Sequence, residues 1–239
     1  MNARASLKSF IKALPGVMWL FRLLRPSAPP KPLDEEGPEG VRQLGHRVYV
    51  GGLWDEIGKL QFDFLMEQGL QPHHYLLDIA CGSLRAGIHF IPYLEASHYL
   101  GVEKEEALLQ AGIDGELGAD LYAEKRPQLV VSKDFAFQNF SARPHFALAH
   151  SLFTHVPVPL IGKCFSRLRS FIRDDGVFYA TFTEAMTEVL NPSQPHDHAN
   201  FQYTKGQMER IAGEHGWKPY YIGGWNHPRN SKMMKFYPA

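Results

Sequence analysis

Seven short runs of β-type residues recur between positions 74 and 238, and most are separated by segments with helical periodicity. The runs are "HYLLDIA" (74–80), "HYLGVE" (98–103), "QLVVSKD" (128–134), "HFALAHS" (145–151), "GVFYATFT" (176–183), "KPYYIGG" (218–224) and "KMMKFYP" (232–238). Helical patterns fall near 55–68, 85–94, 105–112, 116–125, 158–173 and 204–215. Strands that alternate with helices form a parallel sheet, because each crossover helix must cover one of its faces. The last two runs break this rule. Only "WNHPRNS" separates them, too little for a crossover, so they pair antiparallel. The expected architecture is a three-layer α/β sandwich with a mostly parallel seven-stranded sheet that ends in an antiparallel hairpin.

The first forty residues read differently. Leu7, Phe10, Ile11, Leu14, Val17, Met18 and Phe21 recur at helical spacing, and no acidic residue precedes Asp34. Lys8, Lys12 and Arg22 keep the uncharged run far short of a membrane span, and Pro15-Gly16 would kink or split the helix. Such a basic amphipathic extension suits peripheral membrane contact through residues 5–25, a targeting segment, or packing on the domain or a partner. "RPSAPPKPLDEEGPEG" (25–40) carries five prolines and reads as a linker. The expected organisation is an extension and linker over 1–40 and one domain over 41–239. The 25 Lys+Arg balance the 25 Asp+Glu, and aromatic residues are dispersed, so no nucleic-acid partner is expected. Cys81 and Cys164 have no pairing or metal spacing, which suits a reducing, cytoplasmic setting.

The first strand leads into "LLDIACGSLRAG" (76–87). In an open α/β sheet a ligand lies beyond the carboxyl ends of the strands, next to the reversal in strand order. Ala80, Cys81, Gly82 and Ser83 are small enough for a ligand to approach the backbone, and a helix start follows. The second strand ends in "GVEK", placing Glu103 21 residues after Gly82, the separation at which an acid reaches the ribose of a nucleoside. Glycines spaced as in "GxGxxG" are absent. A nicotinamide-dependent oxidoreductase is therefore disfavoured, since its pyrophosphate requires them.

The stretch resembles the first motif of the class I S-adenosylmethionine-dependent methyltransferases, an acid followed by glycines at alternate positions. Ala80 takes the first glycine position, Gly82 matches the second, and Leu84 replaces the third. The resemblance runs over residues 49–239 and implies a Rossmann-like methyltransferase domain with S-adenosyl-L-methionine as cofactor. It implies that Asp78 and the backbone of Ala80, Cys81, Gly82 and Ser83 hold the amino-acid part of the cofactor, with Glu103 and Lys104 at its ribose. Asp134 would meet the adenine amino group and Phe135 its face, and Ser151 and Leu152 would line the same site. "YVGGLWDEIGKLQ" resembles a segment that closes over the site in a branch acting on sugars and small molecules, which implicates Tyr49, Gly52 and Trp54. Singly, Asp78 would serve as a helix cap, Trp54 as core and Asp134 as a turn former. Their joint order along the chain carries the reading.

Methyl transfer from a sulfonium needs an acceptor in line and, for a hydroxyl, a base. His155 in "SLFTHVP" follows the fourth strand and has the right chemistry; the alternative is a structural cap for the next helix. The expected reaction is O-methylation of a small-molecule or glycan hydroxyl. A second reading is a non-catalytic S-adenosylmethionine-binding protein in a membrane-associated assembly. Residues 182–203 read as an acceptor-binding or lid segment. "HDH" (196–198) there is a weak metal signal with no third ligand, so no metal is expected. Glu184 leaves the fifth strand towards the site. His227 and Arg229 fall in the final hairpin turn, whose structure suffices to explain them, and Cys81 reads as packing.

Overall fold

This computed structural model describes residues 36–239. The amphipathic extension, its membrane contact and most of the proline-rich linker lie outside the described residues. The described part opens with helices α1 (Gly37–Leu44), α2 (His46–Tyr49) and α3 (Trp54–Glu67). It continues β1 (Leu76–Ile79), α4 (Gly87–Tyr93), β2 (Tyr99–Glu103), α5 (Glu106–Gly112), α6 (Ala119–Lys125), β3 (Gln128–Val131) and β4 (Phe146–Ala149). Then follow α7 (Val158–Arg169), β5 (Val177–Glu184), β6 (Gln202–Tyr203), α8 (Lys205–Glu214), β7 (Trp217–Gly224) and β8 (Lys232–Pro238). Residues 37–40, expected in the linker, form the first turn of α1. Pro38 sits at its start, where a fixed φ and a missing N–H favour a helix.

The sheet runs β3-β2-β1-β4-β5-β8-β7. β3 to β5 are mutually parallel, and β8 lies antiparallel to both β5 and β7, as expected from the short final connection. The two-residue β6, too short to leave a periodic signal, adds to the end of β5 in parallel. β1 and β4 are buried on both faces. Their alternate residues supply two cores, as the two-residue side-chain period requires. Leu77, Ile79, Ala147 and Ala149 pack with Ile161, Phe165 and Leu168 of α7 and Ile211 of α8. Leu76 and Leu148 pack on the other face with Phe64 and Leu65 of α3 and Phe90 and Ile91 of α4. Each Leu, Ile or Phe among them contributes roughly 1.5–3 kcal/mol through burial.

Two strands stop before their β-type runs do, for one physical reason. Ala80 and Ser151, just past β1 and β4, take left-handed φ values of 59° and 60°. Strand geometry cannot continue through that conformation. The chain turns there, at the carboxyl edge. The 116–125 helix is likewise replaced by a π-type turn (Ile113–Leu117) and α6, divided at Gly118, whose φ is 79°.

Candidate functional site

Strand order reverses between β1 and β4, so the crevice for a ligand lies beyond their carboxyl ends. The loop after β1 borders it. Ala80, Gly82 and Leu84 adopt φ of 59°, 57° and 66°, so the three alternate positions are all left-handed although two lack glycine. For Ala80 and Leu84 this costs on the order of 1 kcal/mol each, strain that the surroundings must hold in place. Two helices do so. A Cβ on Gly112 of α5 would stand 2.5 Å from the Ser83 carbonyl oxygen, and one on Gly58 of α3 would stand 2.5 Å from that of Arg85. The loop backbone therefore rests directly on both helix backbones.

The acid read 21 residues downstream reaches this loop. One Glu103 oxygen accepts from Gly82 N at 3.0 Å; the other accepts from Lys104 N at 2.8 Å and Glu105 N at 3.1 Å. Burial pushes its carboxyl pKa up, against the lowering effect of those N–H donors. Asp78 is buried on the floor of the loop, where Tyr99 Oη donates to it at 2.7 Å. Burial raises its pKa to about 6, and no ion pair neutralises it among the described residues. A buried acid held this way at the end of β1 fits a cofactor's ammonium group. Cys81 is buried, and burial drives its thiol pKa far up, as suits packing rather than nucleophilic chemistry.

The segment before α3 covers the loop. His46 Nδ1 lies 3.1 Å from Ser83 Oγ, and Val50 Cγ1 lies 3.1 Å from where a Gly82 Cβ would stand. Gly52 turns at φ 63° and its carbonyl accepts from Arg85. Trp54 is buried with its ring edge-on to His46 and the Arg47 guanidinium over its face, and its indole N–H is unpartnered. Tyr49 Oη donates to Asp197 at 2.5 Å, and the same carboxylate is ion-paired with Lys104. Burial raises the Asp197 pKa, but Lys104 and Tyr49 outweigh it and hold it below its usual value. His196 lies 3.0 Å from Glu36, and His198 packs edge-on against Tyr49. "HDH" thus clasps the 185–201 segment to the N-terminal helices and to the end of β2. Among the described residues no group of three or more His, Cys, Asp or Glu is placed to hold a metal.

His155 sits beneath the same segment. Its Nδ1 lies 2.8 Å from the Ala199 carbonyl oxygen, which can only accept, so Nδ1 carries the proton and Nε2 keeps its lone pair. Burial lowers its pKa, leaving the imidazole neutral at pH 7. Ser151 N donates to Thr181 Oγ1 at 2.8 Å, and Leu152 is half-buried against the core. Phe135 is buried against Phe137. Asp134 lies beside α7. Its carboxylate is exposed and ion-paired with Lys163 of α7, a partner 29 residues away that no local pattern announces. Glu184 is likewise engaged, accepting from Tyr221 Oη at 2.6 Å.

One group was not legible as a cluster. Arg85, His150 and His227 come from three separate segments and are all buried together. Arg85 Nη1 donates to the carbonyls of Val50 and Gly52, each at 3.0 Å, and Nη2 lies 3.3 Å from His150 Nδ1. His150 Nε2 lies 3.2 Å from His227 Nε2. Burial, reinforced by Arg229, brings the Arg85 pKa down to about 10. Burial and the neighbouring arginines bring His227 to about 4 and His150 well below its usual value.

No family model and no curated protein sequence matches the chain. Solved structures do. The magnesium protoporphyrin IX methyltransferase of Synechocystis PCC 6803, with S-adenosylmethionine bound, matches at TM-score 0.54 and 12% identity, over 100% of this chain and 98% of that one. The CcbJ methyltransferase of Streptomyces caelestis matches at TM-score 0.62 and 12% identity, over 81% and 96%. The glycopeptide N-methyltransferase MtfA, complexed with S-adenosylmethionine, matches at TM-score 0.59 and 13% identity, over 76% and 94%. At these identities the likeness establishes the fold. The chain has the Rossmann-like fold of class I S-adenosylmethionine-dependent methyltransferases.

Proposed function

We propose that the chain binds S-adenosyl-L-methionine and transfers its methyl group to a hydroxyl of a small-molecule or sugar-containing acceptor. One observation carries the cofactor part of this reading: the meeting of Glu103 with Gly82 across a loop whose alternate residues are left-handed, at the switch point of the sheet. A strained backbone maintained by close-packed helices is expected at a functional site rather than in a loop that merely connects. The solved structures of this fold that contain the cofactor support the same assignment.

The cofactor, when bound, supplies a methyl group already activated on a sulfonium. The chain's own residues then have three tasks. Asp78 and the 80–83 backbone bind the amino-acid portion, and Glu103 accepts from the ribose hydroxyls with Lys104 beside it. Phe135, Ser151 and Leu152 offer the adenine end its surroundings. Tyr49, Gly52 and Trp54, with the 185–201 segment clasped to Tyr49, exclude water above the loop. His155 takes the acceptor's hydroxyl proton at Nε2, and the Ala199 carbonyl holds the tautomer this requires. Among the described residues no helix is long and apolar enough to cross a membrane.

The test is methyl transfer from isotopically labelled S-adenosylmethionine to hydroxyl-bearing fractions of a cell extract. Label should appear in an ether linkage, and His155→Ala should lower turnover on that product by roughly 100-fold or more. Wild-type turnover by His155→Ala would remove the base, and label confined to nitrogen would remove the hydroxyl acceptor.

A further inference from the structure

The Arg85, His150 and His227 cluster holds more donated protons than it can place. The Arg85 guanidinium can only donate, so His150 Nδ1, 3.3 Å away, is an acceptor and the His150 proton sits on Nε2. At the other end the backbone N–H of Arg229 donates to His227 Nδ1 at 3.2 Å, so the His227 proton also sits on Nε2. Yet the two Nε2 atoms face one another at 3.2 Å. Two N–H groups point together with no acceptor between them, and protonating either ring adds another donor. Trp225 stacks on His227 and lies edge-on to His150, and its buried indole N–H has no partner either. Three buried N–H groups in one place therefore lack an acceptor, a cost that native structures meet with water or ligand.

Positive charge predominates around the cluster: Arg229 acts on Arg85 more strongly than Asp78, the one carboxylate that opposes it. Neither Arg85 nor Arg229 is ion-paired with a carboxylate among the described residues, although Arg85 is buried. The Arg229 guanidinium is held by the Gly51 carbonyl. The position is also specific. His150 directly follows β4, Arg85 closes the β1 loop, and residues 225–231 reach the same edge because β8 begins opposite Phe182 of β5. The cluster thus lies at the carboxyl edge where the acceptor would meet the cofactor.

We propose that Arg85, His150, His227, Trp225 and Arg229 form an anion-recognising subsite, so that the acceptor carries a carboxylate or phosphate group. An anionic oxygen that parts the two imidazoles, now 3.2 Å apart, receives both Nε2–H groups and gives the positive cluster its counter-charge. The acceptor's anionic group is then anchored there while a hydroxyl elsewhere on the molecule is presented to His155. This substrate class rests on the methyltransferase reading above, but the subsite can be tested separately.

The test uses the full chain saturated with S-adenosylhomocysteine, followed by nitrogen-15 NMR of the histidine rings. Inorganic phosphate and acetate are titrated in parallel, with glycerol as the neutral probe. The proposal expects phosphate, acetate or both to shift the His150 and His227 Nε2 signals with a dissociation constant on the order of 1 mM, and glycerol to leave them in place. His227→Phe should weaken that binding roughly tenfold or more, and the surface variant Arg229→Gln should weaken it several-fold if the buried variant fails to fold. Both should retain S-adenosylhomocysteine binding. No response of these rings to either anion overturns the proposal, as does a response only at several hundred millimolar, which marks an adventitious ion only. If S-adenosylhomocysteine itself shifts the two rings and abolishes the anion response, the cluster serves the cofactor's carboxylate and the proposal falls. Failure to bind S-adenosylhomocysteine at all would instead remove the methyltransferase reading.

Discussion

Replacing Asp78 by Asn should change how stability depends on pH, in a direction that only a buried, charge-bearing acid predicts. Asp78 is almost wholly buried, accepts a hydrogen bond from the Tyr99 hydroxyl and has its pKa raised by burial to about 6, against 3.8 for the free side chain. A raised folded-state pKa means that the folded protein holds its proton more tightly than the unfolded chain. Below about pH 4 both states are protonated and the acid costs nothing. Between about pH 4 and pH 6 the unfolded chain ionises first, so stability falls as pH rises. Above pH 6 the full penalty of about 3 kcal/mol is present. Asn keeps an oxygen for Tyr99 and does not ionise. Whatever fixed cost its amide brings, the difference in unfolding free energy between Asp78→Asn and wild type should move by about 3 kcal/mol in favour of the variant from pH 4 to pH 7. Urea denaturation of both proteins across that range measures it directly. With S-adenosylhomocysteine present, the ammonium group offsets the buried charge and the pH-dependent gap should shrink. A difference that stays flat with pH, or moves against the variant, would refute the reasoning.

Other expectations follow from particular contacts. Glu103→Gln places an amide nitrogen where either Gly82 N–H or the Lys104 and Glu105 N–H pair needs an acceptor; calorimetry should show S-adenosylhomocysteine binding weakened by roughly 10- to 150-fold, the equivalent of about 1.5–3 kcal/mol for a charged hydrogen bond. Gly112→Ala drives a Cβ against the Ser83 carbonyl, so thermal unfolding should show a loss of about 1–3 kcal/mol, with Tm falling roughly 2–4 °C for each. The lowered pKa of His155 puts the acid limb of kcat/KM below pH 6.5, and activity should be flat through neutrality; a limb centred above 6.5 would exclude this imidazole as base.

Much of this architecture was readable before any coordinates. The alternation of strand runs and helices specified the parallel sheet, and the seven-residue gap before residue 232 specified the antiparallel ending, because both depend on chain length and periodicity alone. The loop and its acid were readable for a similar reason: a fixed 21-residue separation brought Glu103 to Gly82. What escaped depended on partners distant in sequence. The ion pair of Asp134 with Lys163 of α7 left no local signal. "HDH" was only a weak metal signal, and the bonds of its aspartate to Tyr49, 148 residues away, and to Lys104 left no local trace. His150 stood unremarked within an apolar strand ending, and His227 looked like turn chemistry. Only the sheet order brings them together; the one local signal is an arginine set among small and apolar residues just after the loop.

The central claim concerns which cofactor this strained loop holds, and calorimetry on the full chain tests it most directly. S-adenosylhomocysteine and NAD are titrated separately into wild type and Glu103→Gln. The account predicts one-site binding of S-adenosylhomocysteine that the substitution weakens, and no binding of NAD, whose pyrophosphate needs the glycines that Ala80 and Leu84 replace. Binding of NAD with no binding of S-adenosylhomocysteine would contradict it.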